Sequence, residues 1–178
     1  MLYSELIKYI HDKDFKRILV TGSHRSGTTF AASCIAHDTE NIFFPEENIS
    51  FGNPYKLKQF LAFHSRFVLQ APAISLFCHQ YNFDLIIYMD RDIKDIILSM
   101  KSLPDRLIQD QYNIISELYG TYYLDYSLPY AKRMIFNNLQ IQHIENPVFL
   151  QYESLKKHPF WIPKPERTNW HIRQISNY

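Results

Sequence analysis

The chain predicts an α/β fold, a central parallel sheet of four to five strands with helices on both faces. Three observations carry this. Short apolar runs alternate with longer segments of helical spacing from residue 18 to residue 151. The runs are apolar without a polar alternate, as strands covered on both sides are. The residues best suited to chemistry follow directly after strands, where sheets of this kind bind ligands.

Leu2 to His11 places Leu2, Leu6, Ile7 and Ile10 on one side and predicts an amphipathic helix against the sheet. Ile18, Leu19 and Val20 form the first strand, which Thr21 and Gly22 end. A loop from Ser23 to Thr29 follows, then a helix carrying Phe30, Ala31, Ala32, Cys34, Ile35 and Ala36 and stopping near His37 and Asp38. Asn41 to Phe44 is a short strand and Pro45 to Asn48 a polar loop. Asn53-Pro54 reads as a helix start, with proline in the first turn. Tyr55, Leu57, Phe60, Leu61 and Phe63 continue that helix to about Ser65.

Arg66 to Gln70 is a second long strand, stopped by Ala71-Pro72. Pro72 suits the first turn of another helix bearing Ile74, Leu76, Phe77 and Tyr81. Asp84 to Asp90 is the third strand, and Arg91 to Lys101 returns to helix along Ile93, Ile96, Ile97 and Met100. Helices are expected over Asp105 to Tyr123 and Tyr130 to His143, and a fourth long strand over Pro147 to Gln151. The proline-broken tail after His158 turns helical again from about Glu166.

With 178 residues the chain is one domain, 1–178, large enough for a sizeable core. A net charge of +1 gives no general nucleic-acid character and no polybasic attraction to membranes. No apolar run approaches the roughly 20 residues of a membrane span, so no integral membrane contact is expected. The first ten residues carry Glu5 and Lys8 and do not read as a signal peptide. Cys34 and Cys78 lie in apolar surroundings and read as free buried thiols of a reducing compartment, hence a cytoplasmic protein. The eight histidines show no metal-binding spacing, and no metal is expected. There is no G-x-S-x-G and no G-x-G-x-x-G after a strand.

The passage RILVTGSHRSGTTFAASCIA, Arg17 to Ala36, is strand, glycine-bounded loop and helix start. That order turns backbone N–H groups toward one point at the positive end of a helix and predicts an anion site, above all for phosphate. Gly22 and Gly27 have the spacing of G-x-x-x-x-G-K-[ST], but Thr28 stands where the lysine belongs. Thr29 keeps the final hydroxyl, and the cation has moved to Arg25. Loss of the lysine removes the main support for ordinary ATP or GTP hydrolysis.

Arg25-Ser26-Gly27-Thr28-Thr29 after a strand resembles the 5′-phosphosulfate loop of sulfotransferases that use 3′-phosphoadenosine 5′-phosphosulfate (PAPS). The arginine variant is similar to tyrosylprotein and bacterial carbohydrate sulfotransferases. DLIIYMDRDIKDIILSM resembles the family's 3′-phosphate segment, with Arg91 after the strand and Ser99 eight residues on. VFLQYESLKKHP resembles the segment whose tyrosine, here Tyr152, lies near the adenine, with Ser154 in place of the usual aspartate. The resemblance spans residues 17 to about 158. It implies a P-loop-type fold, PAPS as co-substrate, and cofactor binding by Arg25, Ser26, Gly27, Thr28, Thr29, Arg91, Ser99 and Tyr152.

The resemblance further implies Arg25 on the leaving phosphate and a glutamate base from Pro45-Glu46-Glu47-Asn48. Glu47 aligns best with that base, Glu46 is the reserve, and His64 competes. Adjacent carboxylates raise one another's pKa, which suits a base near neutral pH. The implied acceptor is a small-molecule or carbohydrate hydroxyl. Gln70-Ala71-Pro72 keeps the proline of the family's Lys-x-Pro but not its cation, for which Arg66 or Arg25 would compensate. Arg167 and Arg173 are the stand-ins for the family's late basic loop. A kinase using the loop for ATP, and a PAPS-fold binding module without turnover, are the competing readings. No sequence feature signals an oligomeric state.

Overall fold

A computed structural model describes residues 1–75, 77–100 and 146–163 of the chain. Its centre is β1 (Arg17–Thr21), where Ile18, Leu19 and Val20 are fully buried. β1 is flanked by β3 (Phe67–Gln70) and β4 (Leu85–Asp90), with β2 (Phe43–Phe44) beyond β3 and β5 (Val148–Gln151) beyond β4. The five strands are all parallel, in the order β2-β3-β1-β4-β5. Leu19 pairs with Leu69 on one side and Ile86 on the other, so one apolar row crosses the sheet at mid-height.

Alternate residues of each strand serve different cores. Ile18, Val20, Val68, Ile87, Met89 and Leu150 pack beneath α1 (Tyr3–Lys13) and α2 (Thr28–Asp38). Leu19, Phe67, Leu69 and Tyr88 pack on the other face with Leu57 and Phe60 of α3 (Pro54–Phe63). The chain runs outward from β1 to β2 and then back one place to β3. Right-handed crossovers in opposite directions require opposite faces, and α2 and α3 occupy opposite faces accordingly. Each fully buried Leu or Ile in these layers contributes roughly 1.5–3 kcal/mol.

Helix ends follow the local chemistry. Asn53 caps α3, its side-chain oxygen accepting from the N–H groups of Tyr55 and Lys56, with Pro54 in the first turn. The Glu5 carboxylate accepts from the Leu2 N–H at the start of α1. A polar tie joins α1, α2 and the segment after β5. The Tyr3 hydroxyl donates to Asp38 at 2.9 Å, and the His158 ring lies 3.3 Å from Asp38 and 3.4 Å from the Cys34 sulfur. Both cysteines are free and buried.

Two expectations change. Pro72 opens no α-helix: the described residues between 71 and 81 form the 3-10 turns Pro72–Ile74 and Cys78–Gln80. Ala71, Pro72, Ala73, Ile74 and Ser75 are buried in succession, so the first part of the segment is enclosed by the core and no helical stripe selects its conformation, while His79 and Gln80 reach the surface. Pro45 to Asn48 is not an open loop either; Glu46–Ile49 is a 3-10 turn with Glu46 and Ile49 buried. The expected helices over 105–123 and 130–143 and the tail beyond 163 lie outside the described residues.

Candidate anion-binding site at the carboxyl edge of the sheet

β1 and β4 are neighbours, yet the chain leaves β1 toward β3 and β2, and leaves β4 toward β5. Their carboxyl ends therefore part company and open a crevice, the switch point at which parallel sheets bind ligands. The loop Gly22–Gly27 forms one wall and the Arg91–Asp92 turn before α4 (Ile93–Met100) the other.

The loop needs its glycines. Gly22 has φ +134° and Gly27 φ +99°, backbone that side chains rarely tolerate. A Cβ on Gly27 would also stand 2.5 Å from the ring of Tyr152. Arg25 adopts φ +68°, a left-handed turn that exposes its side chain. The Ser26 N–H donates to the Ser23 carbonyl at 3.0 Å, while its hydroxyl is buried and unpartnered among the described residues. Thr28 and Thr29 open α2 just beyond Gly27, with Thr28 buried and Thr29 half-buried.

The Arg91 guanidinium crosses the crevice. Its Nη1 donates to the Arg25 carbonyl at 2.8 Å, and its carbon lies 4.2 Å from the centre of the Tyr152 ring. Its Nε is buried and makes no hydrogen bond among the described residues. Ser99, on the last turn of α4, accepts from Arg25 Nε at 3.3 Å. The loop and the segment after β4 thus meet in one cationic cluster in which Arg25, Arg91 and Ser99 are directly linked. Tyr152 opens the 3-10 turn Tyr152–Lys157 after β5 and is only 6 % exposed. Its ring supports Gly27 and Arg91 rather than offering an open face for stacking an adenine.

Behind the loop lies a carboxyl. Glu46 is 6 % exposed, and burial, then the neighbouring Glu47, push its pKa from 4.5 up to about 8 despite a hydrogen bond from the Ala73 N–H. Its Oε2 is buried with no hydrogen-bond partner among the described residues. Glu47 is exposed on the same turn. The structure thus separates the two: Glu46 points inward and Glu47 toward solvent. Gln70, 5 % exposed at the end of β3, lies between this turn and the loop. Its Oε1 accepts from the Glu46 N–H at 3.4 Å and its Nε2 donates to Thr28 Oγ1 at 3.3 Å. Sequence alone shows Gln70 as a lost cation; its bridging place depends on how residues 46 and 28 meet in space.

Two sequence candidates lie elsewhere. His64 ends α3 at the opposite edge of the sheet, packed 4.6 Å from Phe44 and 4.5 Å from Phe60 between ring centres. Arg66 is tied to Asn41 at 2.7 Å and Asp14 at 3.6 Å on that same edge. Neither lies at the crevice, because both precede β3 whereas the crevice follows it. Arg167 and Arg173 fall outside the described residues.

No helix among the described residues is long and apolar enough to cross a membrane. No cluster of metal-binding side chains occurs among the described residues. No protein-family model and no curated protein matches the chain. Among solved structures, the chain is similar to a shikimate kinase from Acinetobacter baumannii in complex with shikimate, at 14 % identity and a TM-score of 0.39, over 76 % of this chain and 96 % of that one.

Proposed function

We propose that the chain is a sulfotransferase that moves the sulfuryl group of PAPS to an acceptor hydroxyl. One observation carries the reading: Arg91, from the end of β4, bonds to the backbone of the glycine loop while Arg25 of that loop bonds to Ser99. The two cationic segments are thus close enough for one ligand whose anionic groups are a single ribose apart. Loop N–H groups, Arg25, Thr28 and Thr29 would hold the 5′-phosphosulfate, and Arg91 and Ser99 the 3′-phosphate. The unpartnered Arg91 Nε and Ser26 hydroxyl fit an oxyanion ligand, since both can donate.

Glu46 fits the base better than Glu47, being buried beside the loop with a pKa near 8. The acceptor hydroxyl would give its proton to the Glu46 carboxylate as its oxygen bonds to sulfur. The bond from sulfur to the phosphate oxygen breaks, and Arg25 and the loop amides take up the charge on that leaving oxygen. The acceptor, by resemblance, is a carbohydrate or small-metabolite hydroxyl, and the reaction calls for no metal.

Calorimetry with adenosine 3′,5′-bisphosphate against ADP with magnesium tests the assignment. Preference for the bisphosphate is expected. Preference for ADP would favour a kinase that uses the loop for ATP, and bisphosphate binding without turnover would favour a binding module.

A further inference from the structure

Gln70 stands where the resemblance predicts a lysine, and its amide has only one consistent orientation. The Glu46 backbone N–H is an obligate donor, so the atom facing it, 3.4 Å away, must be the amide oxygen. That leaves the NH2 group toward Thr28 Oγ1 at 3.3 Å. An amide NH2 cannot accept, so the Thr28 oxygen must. The Thr28 proton is then directed away from Gln70, and no described residue receives it. A hydroxyl that accepts a hydrogen bond becomes a better donor in turn. Thr28 is the first residue of α2, directly after the glycine loop.

We infer that Gln70 is a positioning residue that fixes Thr28 as a hydrogen-bond donor to the anion in the glycine loop. The same amide anchors the turn bearing Glu46, so one buried side chain sets the loop and that turn relative to each other. A lysine there could donate to Thr28 but could not accept from the Glu46 N–H. A glutamate could accept from Glu46 but, when ionised, would draw the Thr28 proton to itself and face the ligand with a lone pair. Gln is the residue that serves both ends, which accounts for a neutral side chain at this position. The inference rests on the loop being an anion site, as in the function proposed above.

A double-mutant cycle tests it, with adenosine 3′,5′-bisphosphate affinity as the readout and thermal unfolding measured in parallel. Thr28→Val is expected to weaken binding about tenfold or more, the range for a hydrogen bond to a charged group, while Thr28→Ser keeps the affinity within about threefold. Gln70→Met should also weaken binding, and adding Thr28→Val to it should cost less than the single change costs in the native background. Losses that multiply independently would overturn the inference, as a merely structural Gln70 would give. If Gln70→Met does not fold, the serine and valine variants at position 28 decide: equal affinities overturn the donor role. If the native protein does not bind the bisphosphate, the functional assignment fails by itself, and the same variants are titrated with pyrophosphate. Binding of neither ligand by the native chain overturns the inference as well.

Discussion

Replacing Glu46 with glutamine should flatten the pH dependence of stability. The folded protein holds this carboxyl protonated up to about pH 8, whereas the unfolded chain releases the proton near 4.5. Between those values the folded state binds more protons than the unfolded one, so stability falls as pH rises. Glu46 favours folding fully below pH 4.5, and that contribution is lost as pH rises through 8. At about 1.4 kcal/mol per tenfold change in acidity, the whole rise corresponds to about 5 kcal/mol. Local relaxation and water entry around the ionised form lower this, so a measured loss of at least about 2 kcal/mol between pH 5 and pH 8.5 is expected. Glu46→Gln keeps the shape and the acceptor for the Ala73 N–H but has no charge to bury. Urea unfolding at several pH values, read as midpoint and slope, gives the comparison. The variant should match or exceed the native protein at pH 8.5 and vary by less than about 1 kcal/mol more than its other titrating groups require. Parallel curves for the two proteins would show that Glu46 ionises normally and is not the buried base candidate described here.

Other perturbations give equally definite outcomes. Gly27→Ala forces a side chain into left-handed backbone and against Tyr152, and should cost about 2–4 kcal/mol in chemical unfolding; in a Tyr152→Ala background only the backbone part, about 1–2 kcal/mol, should remain. Equal costs in both backgrounds would refute the contact. Burial pushes the Cys34 thiol far up and the Cys78 thiol to about 12, so neither should react with a thiol reagent at pH 8 until the protein unfolds. Labelling of the native protein at the rate of a free thiol would contradict the packing of both cores.

The layered sheet was legible because buried parallel strands leave continuous apolar runs such as Ile18-Leu19-Val20 and Leu85-Ile86-Ile87. The glycine loop was legible for a similar reason, since positive φ at residues 22 and 27 admits little besides glycine. What escaped the sequence depends on distant partners. Glu46 and Glu47 are chemically identical neighbours, and only the 3-10 turn anchored by Gln70 and Ala73 decides which one turns inward. Gln70 reads as a missing charge until Thr28 and Glu46 are seen at its two ends. Helical spacing after Pro72 misleads because residues 72–75 are buried in succession rather than on one stripe, and the closing contact of the first turn is a short-range bond from Ser75 to Pro72. The resemblance puts Tyr152 near the adenine, but nothing in the sequence shows that Gly27, Arg91 and Trp161 pack around it.

The claim on which the account depends is that Arg91 and the glycine loop serve the two phosphates of one ligand. Calorimetric affinities for adenosine 3′,5′-bisphosphate and adenosine 5′-phosphate, each measured on the native protein and on Arg91→Ala, address it directly. The native protein should prefer the bisphosphate by at least about tenfold, the scale of a charge-assisted hydrogen bond, and Arg91→Ala should abolish that preference. A native protein indifferent to the 3′-phosphate, or a preference that survives loss of Arg91, would contradict it.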